Sequence, residues 1–289
     1  MKRVLVLSGG GAKIGFQVGV FHHLKNKQFD AVFGTSCGSI WAAMVAQNKA
    51  DQAKHLILSL DNTDIYKGNL SVGNIIKKLI LGKNYLLDMS PLRGLLTKFV
   101  KKADFVIPAY FCYVDFTTGE LITKCSSDCE TDSEIVDAIM ASCMIPIAMP
   151  PVGNFVDGGV LAVCPLSEAI KFQPSEIVII NCFNRASRAR AKGSKLLQLA
   201  SWLFIESMPE TIARNSVDTF LIINQILKAV PRQELQFLMD GQYRNMRYFD
   251  YQLYEPQEDL GDTIDFSEGA MFKRFCHGRT MAWSNYLNK

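Results

Sequence analysis

The chain has 289 residues, 48% hydrophobic and 20% charged, a balance that supports a packed core and excludes an intrinsically disordered chain. A net charge of +3 is too weak to argue for a nucleic-acid-binding face, and no zinc-finger, RNA-recognition or homeodomain signature is present. The eight cysteines are scattered and complete neither a disulfide framework nor a metal site, which points to reduced thiols and a cytoplasmic setting.

The N-terminus reads MKRVLVLSGGG, with an apolar run of only Val4 to Leu7. That run is too short for a signal peptide and predicts a first buried strand over 3–7. The turn SGGGAKIG (8–15) follows, ahead of a helix predicted over about 15–26. A phosphate-binding P-loop fails here, because Lys13 is neither preceded by Gly nor followed by Ser or Thr. A dinucleotide turn fails at Ile14, where its third glycine belongs. Two readings stay open: an oxyanion hole of backbone N–H groups and a plain structural turn.

A strand over 31–34 leads into Gly34-Thr35-Ser36-Cys37-Gly38, and a small-residue helix over 38–48 leads out of it. This strand–GxSxG–helix pattern is that of a nucleophile elbow, a sharp turn that stands a serine hydroxyl clear of the backbone. The helix N-terminus behind it favours an anionic intermediate. Cys37 is a rival nucleophile, but it sits one residue past the apex. Beyond lie a helix over 51–60, an amphipathic stretch from Asn69 to Asn84 and a helix over 90–101. Strands over 110–116 and 120–125 and a helix over 132–143 follow.

A serine needs a base. The four histidines, His22, His23, His55 and His277, stand in undistinguished surroundings. In FVDGGV (155–160), Asp157 stands between apolar residues and two glycines, where a carboxylate has little steric cover. A direct base and a hairpin turn are equal readings of that segment taken alone. A helix over 165–171 and a strand over 176–183 complete an alternation of strands and helices that predicts an α/β fold with a sheet buried on both faces. The run RASRARAKGSK (185–195) reads as a solvated basic loop. The segment from Lys195 to Val230 is helical and apolar, with Pro209 as a break or helix start, and the last forty residues carry no motif. No window of 18 apolar residues exists, so no transmembrane helix is predicted.

SGGGAK at 8–13, GTSCG at 34–38 and VDGG at 156–159, in that order, resemble the patatin-like phospholipase family. ASCMIPIAMPPV (141–152) and Cys164-Pro165-Leu166 are similar to further segments of the family, and the likeness covers roughly residues 1–183. The resemblance implies a three-layer α/β fold, with a mostly parallel central sheet flanked by helices. It implies a Ser36–Asp157 dyad without histidine, framed by Gly34, Gly38, Gly158 and Gly159. Gly9, Gly10 and Gly11 would form the oxyanion loop, continued by Ala12 and by Lys13 where the family carries Arg or Lys. The activity implied is phospholipase A-type hydrolysis of lipid acyl esters, with no cofactor and no metal.

Two departures mark this chain: Ile14 precedes the glycine expected after Lys13, and Cys164 stands where Asn is common. The expected division is a catalytic core over 1–195 and a helical region over 196–289 that packs on the core or forms a lid. Expected partners are a phospholipid or other acyl-ester lipid and a peripheral membrane surface, with no nucleic acid and a homo-oligomer as an option. Leu196, Leu197, Leu199, Trp202, Leu203 and Phe204 are candidates for the membrane face, and Met140, Met144 and Met149 for an acyl pocket or the core. The alternatives are a soluble carboxylesterase or thioesterase, and a toxin or defence effector gated by its C-terminal region.

Overall fold

The computed structural model describes residues 2–69, 80–82, 85–186, 202–230 and 247–287, and within 187–201 residues 188, 190, 191, 193, 195, 198 and 199. The amphipathic candidate over 69–84 therefore lies mostly outside the described residues, as do Leu196 and Leu197.

In strand β1 (Arg3–Leu7) side chains alternate between two faces. Val4 and Val6 enter one core, while Leu5 and Leu7 enter the other. Strand β6 (Glu176–Ile180) divides in the same way, Ile177 and Ile179 against Val178 and Ile180. Both faces of the sheet are thus apolar, and helices cover both. On one side lie α1 (Ile14–Leu24), α2 (Cys37–Ala46), α3 (Ala50–Ser59), α4 (Ser90–Phe99) and α5 (Asp132–Cys143). On the other lie α6 (Leu166–Lys171) and α7 (Met208–Ala229). The result is a three-layer α/β fold with a mostly parallel central sheet.

The strand order is β4-β3-β2-β1-β6-β7, with β2 at Ala31–Thr35, β3 at Ala109–Asp115, β4 at Glu120–Cys125 and β7 at Asp250–Tyr254. A short strand, β5 (Phe155–Asp157), pairs with β3 off this path. The β1–β2, β2–β3, β1–β6 and β6–β7 pairs are parallel, and β3 meets β4 and β5 antiparallel.

Four elements differ from the sequence reading. The strand predicted over 176–183 stops at Ile180, because the Asn181 side chain bonds both the Phe183 carbonyl and the Phe183 N–H and turns the chain. Strand β7 arises in a stretch read as motif-free, and helix α8 (Glu268–Leu287) packs along α1, where the Phe16 and His277 rings meet at a tilt with centroids 5.8 Å apart. Finally, α7 starts at Met208 with the predicted Pro209 in its first turn, but a π-helical turn over Trp202–Ser207 leads into it. No helix among the described residues is long and apolar enough to cross a membrane.

Candidate active site

Strand β3 acts as a ruler for the site. Along one edge it pairs first with β2, so that Thr35 stands opposite Cys112. The next residue along that edge, Tyr113, stands opposite Asp157 of β5. Strands β2 and β5 therefore run toward each other and end side by side, which brings together Ser36 and Asp157, residues distant in sequence. The segment after β5 is stitched to the same place: Thr35 Oγ1 donates to the Ala162 carbonyl at 2.8 Å, and Gly9 N–H to the Val163 carbonyl at 2.8 Å.

Ser36 occupies the sharp turn between β2 and α2 with φ 54° and ψ −128°. A side chain rarely adopts that backbone, and the surrounding structure must hold it there. The flanking glycines supply the room: a Cβ on Gly34 would strike the Gly38 carbonyl, and one on Gly38 would lie 2.5 Å from the Leu7 carbonyl oxygen. The Ser36 N–H donates to Ser142 Oγ at 2.8 Å, and Ser142 donates to the Cys112 carbonyl at 2.6 Å. Ser142 lies in the ASCMIP stretch, but no sequence signal assigns it this bracing role. Ser142→Ala should lower stability by about 1–3 kcal/mol, because it strands a buried N–H at a strained residue. A thermal melt checks this, and an unchanged melt would mean that the N–H finds another partner.

Ser36 is 7% and Asp157 4% exposed. Burial lifts the Asp157 carboxyl to about 7, against the lowering influence of the neighbouring Ser36 hydroxyl and of the hydrogen bond from the Gly159 N–H. The latter bond is 2.6 Å long and reaches Oδ1. Gly158 lies against the Cys112 carbonyl, so the VDGG segment packs on the β3 position that anchors Ser142. A carboxyl that titrates near neutral pH beside a hydroxyl is suited to general base work, because its ionised form is present there and takes up a proton readily. The Cys37 thiol is pushed well above its ordinary value by burial, with the nearby Cys182, Cys143 and Asp157 adding to the shift. None of the four histidines lines a cavity that contains Ser36.

The glycine loop carries five backbone donors, and three are committed. Gly9 donates to Val163, Ala12 to the Thr263 carbonyl at 2.7 Å and Lys13 to the Gly10 carbonyl at 3.0 Å. The N–H groups of Gly10 and Gly11 make no backbone hydrogen bond among the described residues. An oxyanion reading of the loop thereby narrows to those two, since a donor spent within the protein is not available to a reacting oxygen. Lys13 is buried, with Nζ 3.0 Å from Glu206 Oε2 and 4.4 Å above the Phe183 ring.

Ser36 stands between two apolar cavities. One runs under α2, α3 and α4 past Ile40, Met44, Ile57, Leu92, Leu96 and Met149. The other passes Asp157 and opens between Ile147, Val160, Phe204 and Met208. Met149 thus lines a cavity, whereas Met140 and Met144 are buried in the core. All eight cysteines are free thiols. Among the described residues no group of three His, Cys, Asp or Glu side chains could hold a metal ion.

The sequence profile of the patatin-like phospholipase family matches residues 5–170, a span that holds the glycine loop, the elbow and the DGG segment. The chain belongs to this family of lipid hydrolases. It is 23% identical over 264 residues to a cUMP-AMP-activated phospholipase of Escherichia coli, covering 79% of each chain. The crystal structure of VipD from Legionella pneumophila shares the fold at a TM-score of 0.51 and 12% identity, covering 99% of this chain and 67% of that one.

Proposed function

We propose that this chain is a phospholipase A-type lipid acyl hydrolase in which Ser36 is the nucleophile and Asp157 the general base. One observation carries the reading: β2 and β5 end together on β3, so that Ser36 and the buried carboxyl of Asp157 line one cavity. Asp157 takes the hydroxyl proton as Oγ attacks the acyl carbon. The N–H groups of Gly10 and Gly11 stabilise the tetrahedral oxyanion, and losing one such donor costs about 10²–10³ in rate. Asp157 returns the proton to the leaving alcohol, then deprotonates the water that releases the fatty acid from the acyl-enzyme.

The mouth of the site supports a lipid surface as partner. Ile147 is 64% exposed at φ 72°, a strained backbone for a β-branched residue; Val160 and Phe204, which line the same opening, are exposed, and so are their chain neighbours Leu161 and Leu203. Strain and exposed apolar area are both maintained here at a cost to the free protein, which fits a surface that is covered in use. Of the basic run, Arg185 is tied to Glu255 at 2.7 Å and Asp218 at 2.6 Å, so among the described residues of the run the exposed Arg188, Arg190 and Lys195 are the cations left for headgroups. Leu161→Asp with Leu203→Asp should lower hydrolysis of vesicles about tenfold or more, by removing buried apolar area at the interface. Short-chain soluble esters should be hydrolysed at the wild-type rate, and equal losses on both substrates would count against a membrane role.

A second reading is regulation. The E. coli relative is by name cUMP-AMP-activated. In this chain Glu206 and Thr263, both from the region after residue 195, grip the glycine loop, so a ligand that moved them would reach the site. The test of both readings is fatty-acid release from phospholipid vesicles in EGTA, with and without cUMP-AMP. Release only with the nucleotide selects the gated enzyme; no release in either arm removes the phospholipase reading.

A further inference from the structure

Thr263 belongs to the segment between β7 and α8, where the sequence carries no functional motif. Backbone bonds bring it to the glycine loop. Its carbonyl accepts the Ala12 N–H at 2.7 Å, and its own N–H donates to Glu206 Oε1 at 2.7 Å, the carboxylate that also holds Lys13. The buried Arg274 guanidinium clamps the segment by donating to the carbonyls of Leu260, Asp262 and Asp265, and it donates to the Ala12 carbonyl as well. A Cβ on Gly11 would collide with the Thr263 carbonyl oxygen, so only glycine there allows the segment to come this close.

The backbone of Thr263 is thus fully engaged, and its side chain is not. Thr263 is 3% exposed, and its Oγ1 has no hydrogen-bond partner among the described residues. Among the described residues, buried side-chain atoms of Gln17 and Trp41 also make no hydrogen bond, but neither residue lines a cavity that contains Ser36, as Thr263 does. It lines both of them, at the point where they meet. A buried hydroxyl without a partner weakens the fold, and such an arrangement at a reaction centre signals a partner that arrives with the ligand.

We propose that Thr263 is a substrate-binding residue, whose hydroxyl donates to an ester oxygen of an acyl lipid placed with its acyl chain in one cavity and its leaving group in the other. The proposal rests on the reading of Ser36 as nucleophile. It assigns to the C-terminal region a direct part in the site, beyond covering it.

Thr263→Val keeps the side-chain shape and replaces the hydroxyl by a methyl group, while Thr263→Ser keeps the hydroxyl. Three readouts are needed: kcat/KM on phosphatidylcholine vesicles, the rate at which a long-chain alkyl fluorophosphonate labels Ser36, and the thermal melt. Thr263→Val should lower hydrolysis and labelling about ten- to hundredfold, the range for a hydrogen bond to a charged or charging oxygen. It should melt at or above the wild-type temperature, because the unpartnered group is gone. Thr263→Ser should label within about threefold of wild type, as the donor is retained. Wild-type rates in Thr263→Val overturn the proposal, and so does a lowered melt with losses shared by Thr263→Ser, which would make the residue structural. Probe uptake by Ser36→Ala, or none by the wild type, removes the nucleophile reading and this proposal with it. Equal labelling of the wild type and Thr263→Val removes this proposal alone.

Discussion

Ser36→Ala is expected to reduce fatty-acid release by at least about four orders of magnitude, the scale on which loss of a nucleophile is felt in serine hydrolases. The fold should survive. The Ser36 N–H keeps its bond to Ser142, and the hydroxyl that is removed faces a cavity rather than the packed core. Ser36→Gly separates chemistry from strain. Its rate should fall as far, but its melting temperature should rise by roughly 1–3 °C, because glycine relieves a backbone at φ 54° whose strain costs on the order of 1 kcal/mol. The strained turn is stabilised from outside, through the Ser142 bridge to Cys112 and the glycine contacts of Gly34 and Gly38. Both variants should fail to take up a fluorophosphonate probe. Hydrolysis that persisted in Ser36→Ala would leave GTSCG as a tight turn, and Cys37, buried with its thiol pushed well up, would be a poor replacement.

What the sequence reveals of this site follows from where its constraints are local. The loop at 9–11, the elbow at 34–38 and the pair at 158–159 each impose a backbone that excludes most side chains, and glycine is the trace such constraints leave in a sequence. The apolar runs of β1, β2 and β6 are legible because those strands are covered on both faces. Strand β7 is not, since DYQLY lies at the sheet edge with its first residues exposed and needs no apolar run. Strand β5 is only three residues long, too short to show a period of two, yet its register against Tyr113 is what aims Asp157. Ser142, Glu206 and Thr263 leave no local trace at all. Each acts through a partner more than fifty residues away in sequence, so an ordinary Ser, Glu or Thr serves and only the folded chain shows which. Helix α8 is hidden for the same reason: its role comes from packing on α1 and from Arg274 reaching back to Ala12.

Asp157→Asn should cost about 10³–10⁴ in kcat/KM, since an amide keeps the shape and accepts the Gly159 N–H but cannot take a proton. The wild-type pH profile carries the stronger test. With the carboxyl at about 7, kcat/KM should rise with pH through an apparent pKa near 7 and level off above it, whereas an ordinary carboxylate would give a plateau from pH 5. Stability should run the other way. Between the ordinary value of 3.8 and about 7 the native state holds a proton that the unfolded chain has lost, so stability falls as pH rises through that window and is flat beyond it. The full span is on the order of 4 kcal/mol from this group. Asp157→Asn has no such proton, so its melting temperature should vary less between pH 5 and 8 and exceed that of the wild type at the upper end. Activity and stability therefore trade against each other across one titration, and a single substitution removes both slopes. Melts of both proteins at pH 5 and 8, beside the pH–rate profile, measure this directly. An acid limb near pH 4 with parallel melting curves would show that Asp157 is an ordinary ionised carboxylate, and the base would have to be sought elsewhere.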